Sequence, residues 1–157
     1  MTSQKLRLGL IGMSTGNGHP YSWSAICNGY DPVLMEDCGF PAIPRYLEKQ
    51  AYPDDFIDEA TVTHVWTQDK NLSDHIAKAS NITSIANNFE DLIGSVDAVL
   101  LARDDAENHL YFAKPFLEAG VPIYIDKPLA LSLKEANNLL GLQPYHGQIF
   151  SCSALSY

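Results

Sequence analysis

The sequence predicts an α/β domain folded around a doubly wound parallel sheet, and three observations carry that expectation. Short apolar runs and helical segments alternate about six times along the 157 residues. Residues 96–125 read strand, helix, strand, at the length a parallel crossover needs. The chain also opens on an apolar run, KLRLGLIG at residues 5–12, which closes on a glycine and passes into turn residues, as a buried strand does.

Taken in order, residues 5–12 are the first strand and the MSTGNGHP segment that follows is turn material. Residues 21–28 form a short helix ended by Gly29 and by the Asp31-Pro32 pair. From there to about Ala60, the prolines Pro32, Pro41, Pro44 and Pro53 divide the chain into pieces too short for a long helix. Residues 44–50 and 54–60 can each make one or two turns, and the segment reads as an irregular excursion outside the core. Residues 62–67 (VTHVWT), rich in β-branched and aromatic side chains, are the second strand. A helix over 73–80 takes Ser73 as its N-cap. Residues 82–86 repeat the strand pattern and 89–93 fit a short helix. The clearest unit follows: a strand at 96–102 (VDAVLLA), then a helix with Ala106, Leu110, Ala113 and Leu117 on one face. Gly120 stops that helix and a strand runs over 121–125. Pro115 should kink this helix or end it early. A helix over 132–140 has Ser132 and Glu135 in capping-box spacing, and 148–154 supply the last strand.

Hydrophobic residues make up 46% and charged residues 18% of the chain, proportions of an ordinary folded domain of one core. A net charge of −9, densest at Asp54, Asp55, Asp58 and Glu59, argues against nucleic acid or an anionic membrane as partner. Cys27, Cys38 and Cys152 are odd in number and widely spaced, as in a reduced, cytoplasmic protein. A zinc site from Cys27, Cys38 and His19 lacks paired ligand spacing, so no metal is expected. No apolar run approaches the ~20 residues of a membrane span, and the N-terminus has no signal-peptide core.

Three places could carry chemistry. The loop Gly12-Met13-Ser14-Thr15-Gly16-Asn17-Gly18 lies between a strand and a helix, where backbone N–H groups and the helix dipole can hold a pyrophosphate. Its match to G-x-G-x-x-G is irregular, with Ser14 and Asn17 in the second and third glycine positions, and a plain glycine turn stays open as a reading. Asp69, after the second strand, can accept bonds from the adenosine ribose and repel a 2′-phosphate, which favours NAD over NADP. Its distance from Gly12 far exceeds the usual ~20 residues, and on spacing alone a solvated aspartate fits equally well. Asp126-Lys127-Pro128 follows a buried strand directly, which puts Lys127 at the carboxyl edge of the sheet where α/β folds bind ligands. Pro128 holds Lys127 extended, and a surface lysine remains the alternative.

The run VDAVLLARDDAENHLYFAKPFLEAGVPIYIDKPLALSLKEANNLL resembles the second half of the cofactor domain in the Gfo/Idh/MocA family of NAD(P)-dependent oxidoreductases. The shared features are the strand, the loop, a helix with a histidine near its start, the Ala-Gly turn, and a strand ending in an acidic residue before Lys-Pro. The resemblance implies a Rossmann-type fold over residues 1–157. It also implies a catalytic role for Lys127 beside nicotinamide and substrate, and a cofactor-lining role for Ala102, Arg103 and Asp104. Asp126 stands where the family usually has Glu. His109 matches the family's helix histidine, though on its own merits it reads as a packing residue.

Family members continue into a second α/β domain with the substrate pocket and the usual catalytic histidine. The expectation is therefore the cofactor half of a truncated or split dehydrogenase acting on a sugar or cyclitol, feeble on its own. The substrate domain is missing, a small-molecule substrate is bound only with a second domain, and either a homo-oligomer or a partner chain could supply one. His146 and Tyr145 are not recruited as replacements. The competing reading is a non-catalytic module that senses NAD or binds a protein through apolar surface near Leu155 and Tyr157.

Overall fold

In the computed structural model, which describes residues 4–153, six strands form one sheet. They are β1 (Leu6–Ile11), β2 (Ala60–Trp66), β3 (Ser84–Ile85), β4 (Ala98–Leu101), β5 (Ile123–Ile125) and β6 (Ile149–Phe150). Their order is β3-β2-β1-β4-β5-β6, with every neighbouring pair parallel. Six helices join them: α1 (His19–Asn28), α2 (Pro32–Glu36), α3 (Ala42–Leu47), α4 (Lys70–Ala79), α5 (His109–Glu118) and α6 (Leu133–Gly141). This is the doubly wound order, with its direction of growth reversing between β1 and β4.

The sheet is apolar on both faces because helices cover both. Leu8 and Leu10 of β1 pack with Val62 and Val65 of β2 under Tyr21, Ala25 and Ile76 of α1 and α4. Ile11, one residue on, points the other way and joins Val99, Leu101, Ile123 and Ile125 under Phe112, Phe116 and Leu117 of α5. That alternation is the period-two geometry of a strand, and two buried faces make such strands read as continuous apolar runs.

Several elements depart from the expected boundaries for identifiable reasons. Helix α4 begins at Lys70, not at Ser73, because the Asp69 carboxylate caps it by accepting the Asn71 N–H at 2.8 Å. Ser73 instead faces inward, where its hydroxyl accepts the Thr67 N–H and pairs with the Thr67 hydroxyl. Residues 89–92 form a 3₁₀ turn, and a second one, at 106–108, leads into α5. Pro115 lies inside α5 without ending it. The bond it cannot make would go to the carbonyl of Tyr111, an exposed residue on the solvent side of the helix. Leu110 is 40% exposed, outside the buried stripe assigned to it. Ser132 caps α6 by accepting the Glu135 N–H, while Glu135 turns back to the Leu131 N–H. The last strand is only Ile149–Phe150, and Ala154, Leu155 and Tyr157 lie outside the described residues.

The largest correction concerns residues 30–60, whose first part, through α2 and α3, packs into the core. Met35 of α2 is fully buried and Leu47 of α3 nearly so, both joined to the α1 and α4 layer along with Cys38. Residues 54–60 form no helix, because the Asp55 carboxylate captures the Ala51 N–H and holds a turn. Ala60 then starts β2. Met35→Ala is expected to destabilise the protein by about 2–4 kcal/mol, as large-to-small changes in a closed core do. Val33→Ala, on the exposed side of the same short helix, should stay within about 0.5 kcal/mol. Denaturant melts of the two variants make the comparison, and equal midpoints would return the segment to the status of a surface loop.

Candidate functional site

All six strands are parallel, so their carboxyl ends share one edge, and the loops that leave this edge carry the residues singled out from the sequence. The loop after β1 turns into α1 with some of its N–H groups unfilled. Among the described residues, the backbone N–H groups of Ser14, Thr15 and Gly16 meet no protein acceptor. Gly16 has φ +81° with open space where a side chain would begin. Gly18 is required for the opposite reason: a Cβ there would come within 2.6 Å of Ile43 and 2.8 Å of Phe40, which press on the loop from the α3 region. Three unfilled donors beside the start of a ten-residue helix suit an anionic pyrophosphate.

Two side chains of this loop, Ser14 and Asn17, point into the protein, while Thr15 is exposed. The Ser14 hydroxyl donates to Asp104 Oδ1 at 2.5 Å and accepts the Asp104 N–H at 3.0 Å, joining the loops after β1 and β4. Asn17, 4% exposed, donates to Asp126 Oδ2 at 2.8 Å. These are the two positions where the sequence departs from glycine, and both carry side chains that fasten the loop. Gln68 grips the loop from the β2 side, donating to the Met13 carbonyl and accepting the Met13 N–H.

Asp126 is the centre of the arrangement. It is 1% exposed, yet its Oδ2 accepts from Asn17 and from His19 Nδ1 at 2.5 Å, while Oδ1 accepts the Lys127 N–H at 2.8 Å. Burial pushes its pKa up, but the hydrogen bonds from His19 and Asn17, the nearby His19 ring and the Lys127 N–H outweigh it and hold the carboxyl below its ordinary 3.8. Lys127 is exposed, with its ammonium 3.7 Å from Asp104 Oδ2. Pro128 is exposed beside it.

The remaining candidates are placed as follows. Gly12 and Ala102 are buried at the ends of β1 and β4. Arg103 is 8% exposed and committed to the protein, through Asp105, Gln68 and the face of Phe112, and so offers a ligand little. Asp69 is exposed three residues beyond β2, with one oxygen occupied in capping α4. His109 is fully buried, its ring nitrogens 2.7 Å from the Arg103 carbonyl and 3.1 Å from that of Leu129, and it ties the loops after β4 and β5 together. Cys27, Cys38 and His19 do not gather: burial pushes the Cys27 thiol to about 11, Cys38 bonds Phe40, and His19 is taken by Asp126. Among the described residues no group of three His, Cys, Asp or Glu side chains could hold a metal. None of their helices is long and apolar enough to cross a membrane.

Two residues of the site were missed as ligand-site candidates. His19 drew notice only as a metal ligand, although it stands at the first position of the helix after the glycine loop. Gln68 is adjacent to Asp69, and nothing in the chain marks it.

This fold and this edge define a Rossmann-type dinucleotide-binding domain. The profile of the Gfo/Idh/MocA oxidoreductases, a family with an NAD-binding Rossmann fold, matches residues 41–153, and the chain belongs to that family. The match begins after the irregular glycine loop. Solved structures with the same fold include myo-inositol 2-dehydrogenase from Lactobacillus plantarum (TM-score 0.61, 15% identity, 95% of this chain and 36% of that one). Others are scyllo-inositol dehydrogenase from Lactobacillus casei with bound NAD(H) and scyllo-inositol (0.61, 15%, 95% and 36%) and a probable dehydrogenase from Thermotoga maritima (0.62, 16%, 93% and 35%). The chain thus spans about a third of their length. No curated protein sequence matches it.

Asp126→Asn tests the centre of this network. The amide can no longer accept from Asn17, His19 and Lys127 together, and a loss of about 2–3 kcal/mol is expected, the range for leaving buried donors unpaired. Because the native carboxyl titrates below its ordinary value, its contribution is full above pH 4 and disappears as pH falls through the depressed native value. Melts between pH 2.5 and 7 should show a steeper acid loss for the wild type than for the variant. Parallel curves would remove Asp126 from this role.

Proposed function

We propose that this domain binds NAD(H) in preference to NADP(H) and serves an oxidoreductase that moves hydride between nicotinamide and a carbinol of sugar or cyclitol type. The observation that carries the reading is the union, through Asp126, of a donor-bearing glycine loop with the turn that presents Lys127. The unfilled N–H groups of residues 14–16 would take the pyrophosphate, and Asp69 the adenosine ribose through its uncommitted oxygen. A bound nicotinamide supplies the hydride acceptor or donor. The Lys127 ammonium would hydrogen-bond the reacting oxygen and stabilise its developing charge. The inositol dehydrogenases among the similar structures support the substrate class. Groups that enclose the substrate come from residues outside this domain, on the same chain or another.

Calorimetric titration should give tighter binding of NAD(H) than of NADP(H). Asp69→Asn keeps a good helix cap while removing the charge, so it should improve NADP(H) relative to NAD(H) by roughly five- to ten-fold. Equal affinities in the wild type would sink the role of Asp69, and binding of neither cofactor would sink the reading as a whole.

Lys127→Met keeps most of the stem and removes the ammonium. Its melting temperature should stay within about 2 °C of wild type, since the side chain is half exposed and outside the core. NAD affinity should change less than about three-fold. In a complete enzyme containing this domain the hydride-transfer rate should fall by ~10²–10³. A variant that folds, binds and turns over normally excludes Lys127 from the chemistry.

A further inference from the structure

Gln68 is exposed, yet its side chain makes three hydrogen bonds, and all of them lead to the glycine loop or to the residue that braces it. Its Nε2 donates to the Met13 carbonyl at 2.7 Å, and its Oε1 accepts the Met13 N–H at 3.0 Å and Arg103 Nη1 at 3.1 Å. A primary amide carries both the donor and the acceptor of a peptide group. The side chain therefore takes up the pairing of β1 with β2 where the backbone ladder stops, one residue after the Gly12 N–H meets the Trp66 carbonyl at 3.0 Å. The backbone on either side of Gln68 is fixed: the Thr67 N–H goes to the Ser73 hydroxyl, and Asp69 caps α4. Its partner Arg103 is fixed as well, by Asp105 and over the face of Phe112.

The Met13 carbonyl and the Ser14 N–H belong to one planar trans peptide unit, so they point in opposite directions. Holding the carbonyl toward Gln68 turns the Ser14 N–H to the far side, where among the described residues it meets no protein acceptor. The turn that follows is closed by the Asn17 N–H on the Ser14 carbonyl at 3.2 Å, which carries the direction set at Ser14 into the N–H groups of Thr15 and Gly16. Ser14 is held from the other side by Asp104, the residue after Arg103. Gln68, the Met13-Ser14 pair and the Arg103-Asp104 pair thus close a ring that joins the loops after β2, β1 and β4.

We propose that Gln68 is a positioning residue of the dinucleotide site, an inference that rests on the reading above. By gripping Met13 it aims the Ser14 N–H, and with it the donors of Thr15 and Gly16, at the place of the pyrophosphate before a cofactor arrives. Donors aimed in advance need no reordering when the ligand binds, and that saving appears as affinity. The amide acts through the loop and needs no contact with the cofactor. Its own bonds compete with water at an exposed position, so they add little to the stability of the fold. Binding and stability therefore separate when it is removed.

Gln68→Met keeps the length of the side chain and removes the amide. In the 157-residue chain, calorimetric titration should give dissociation constants for NAD⁺ and for ADP about ten-fold above wild type, the low end for one hydrogen bond to an ionised oxygen. Adenosine carries no phosphate, and its binding, followed by amide NMR shifts, should stay within about two-fold of wild type. The melting temperature should stay within about 2 °C, as for a surface substitution. In the unliganded variant the Met13 carbonyl resonance and the Ser14, Thr15 and Gly16 amide resonances should move, while the Lys127 amide, held by Asp126, should not. Unchanged affinities for NAD⁺ and ADP would overturn the assignment while leaving dinucleotide binding intact. An adenosine loss equal to that of ADP would also overturn it, by making Gln68 a contact of the nucleoside, and a melting temperature lowered beyond that margin would make the residue structural. A wild-type chain that binds neither NAD⁺ nor ADP would overturn this inference and the dinucleotide reading together.

Discussion

The buried Asp126 carboxylate holds the candidate site together. It stands at the carboxyl end of β5 and accepts hydrogen bonds from Asn17 and His19 at the start of α1 and from the backbone of Lys127. A carboxylate at 1% exposure is tolerated only when its lone pairs are filled, and here three donors fill them. Because those donors belong to the loops after β1 and β5, the satisfaction of one buried charge fixes the distance between the glycine loop and the Lys127 turn. The same carboxylate also takes the backbone N–H of the next residue, Lys127, on its Oδ1.

Around this centre the site is braced from three further directions. Ser14 and Asp104 bond each other twice across the crevice between β1 and β4, the point where the sheet changes direction. Gln68 holds both backbone groups of Met13 and is itself held by Arg103, whose guanidinium lies over Phe112. Phe40 and Ile43 press on Gly18. An irregular glycine loop thus reaches a defined shape through side-chain ties, where a regular G-x-G-x-x-G loop relies on the absence of side chains. The residues between α1 and β2 pack on the loop from outside and anchor themselves through Met35 and Leu47.

The fold class was legible in the chain because parallel strands buried on both faces leave unbroken apolar runs, and because residues 96–125 show a complete strand-helix-strand unit. The second half was read best, since there the elements follow one another closely. Errors gathered where local preference competes with tertiary contact. Ser73 looks like a cap, but the aspartate four residues earlier captures the helix start and leaves the serine to bond Thr67. Pro115 looks like a breaker, but it sits inside α5 without ending it, and Tyr111, whose carbonyl loses its partner, is an exposed residue. The prolines of residues 32–53 look like surface punctuation, and nothing in their spacing shows that Met35 between them is sealed in the core.

By itself the sequence determined the parallel sheet, the glycine loop at the end of the first strand and the Asp126-Lys127-Pro128 turn at the end of the fifth. Each is written in a run of neighbouring residues, the sheet in its apolar periodicity and the two turns in their glycine and proline chemistry, although what the two turns do stayed open. Only the tertiary structure decided that Asp126 meets His19 across 107 positions and Ser14 meets Asp104 across 90. Such pairings depend on the order in which strands lie side by side, and strand order leaves no mark on any single stretch of chain. The partners of a buried charge are chosen by the sheet that brings them together.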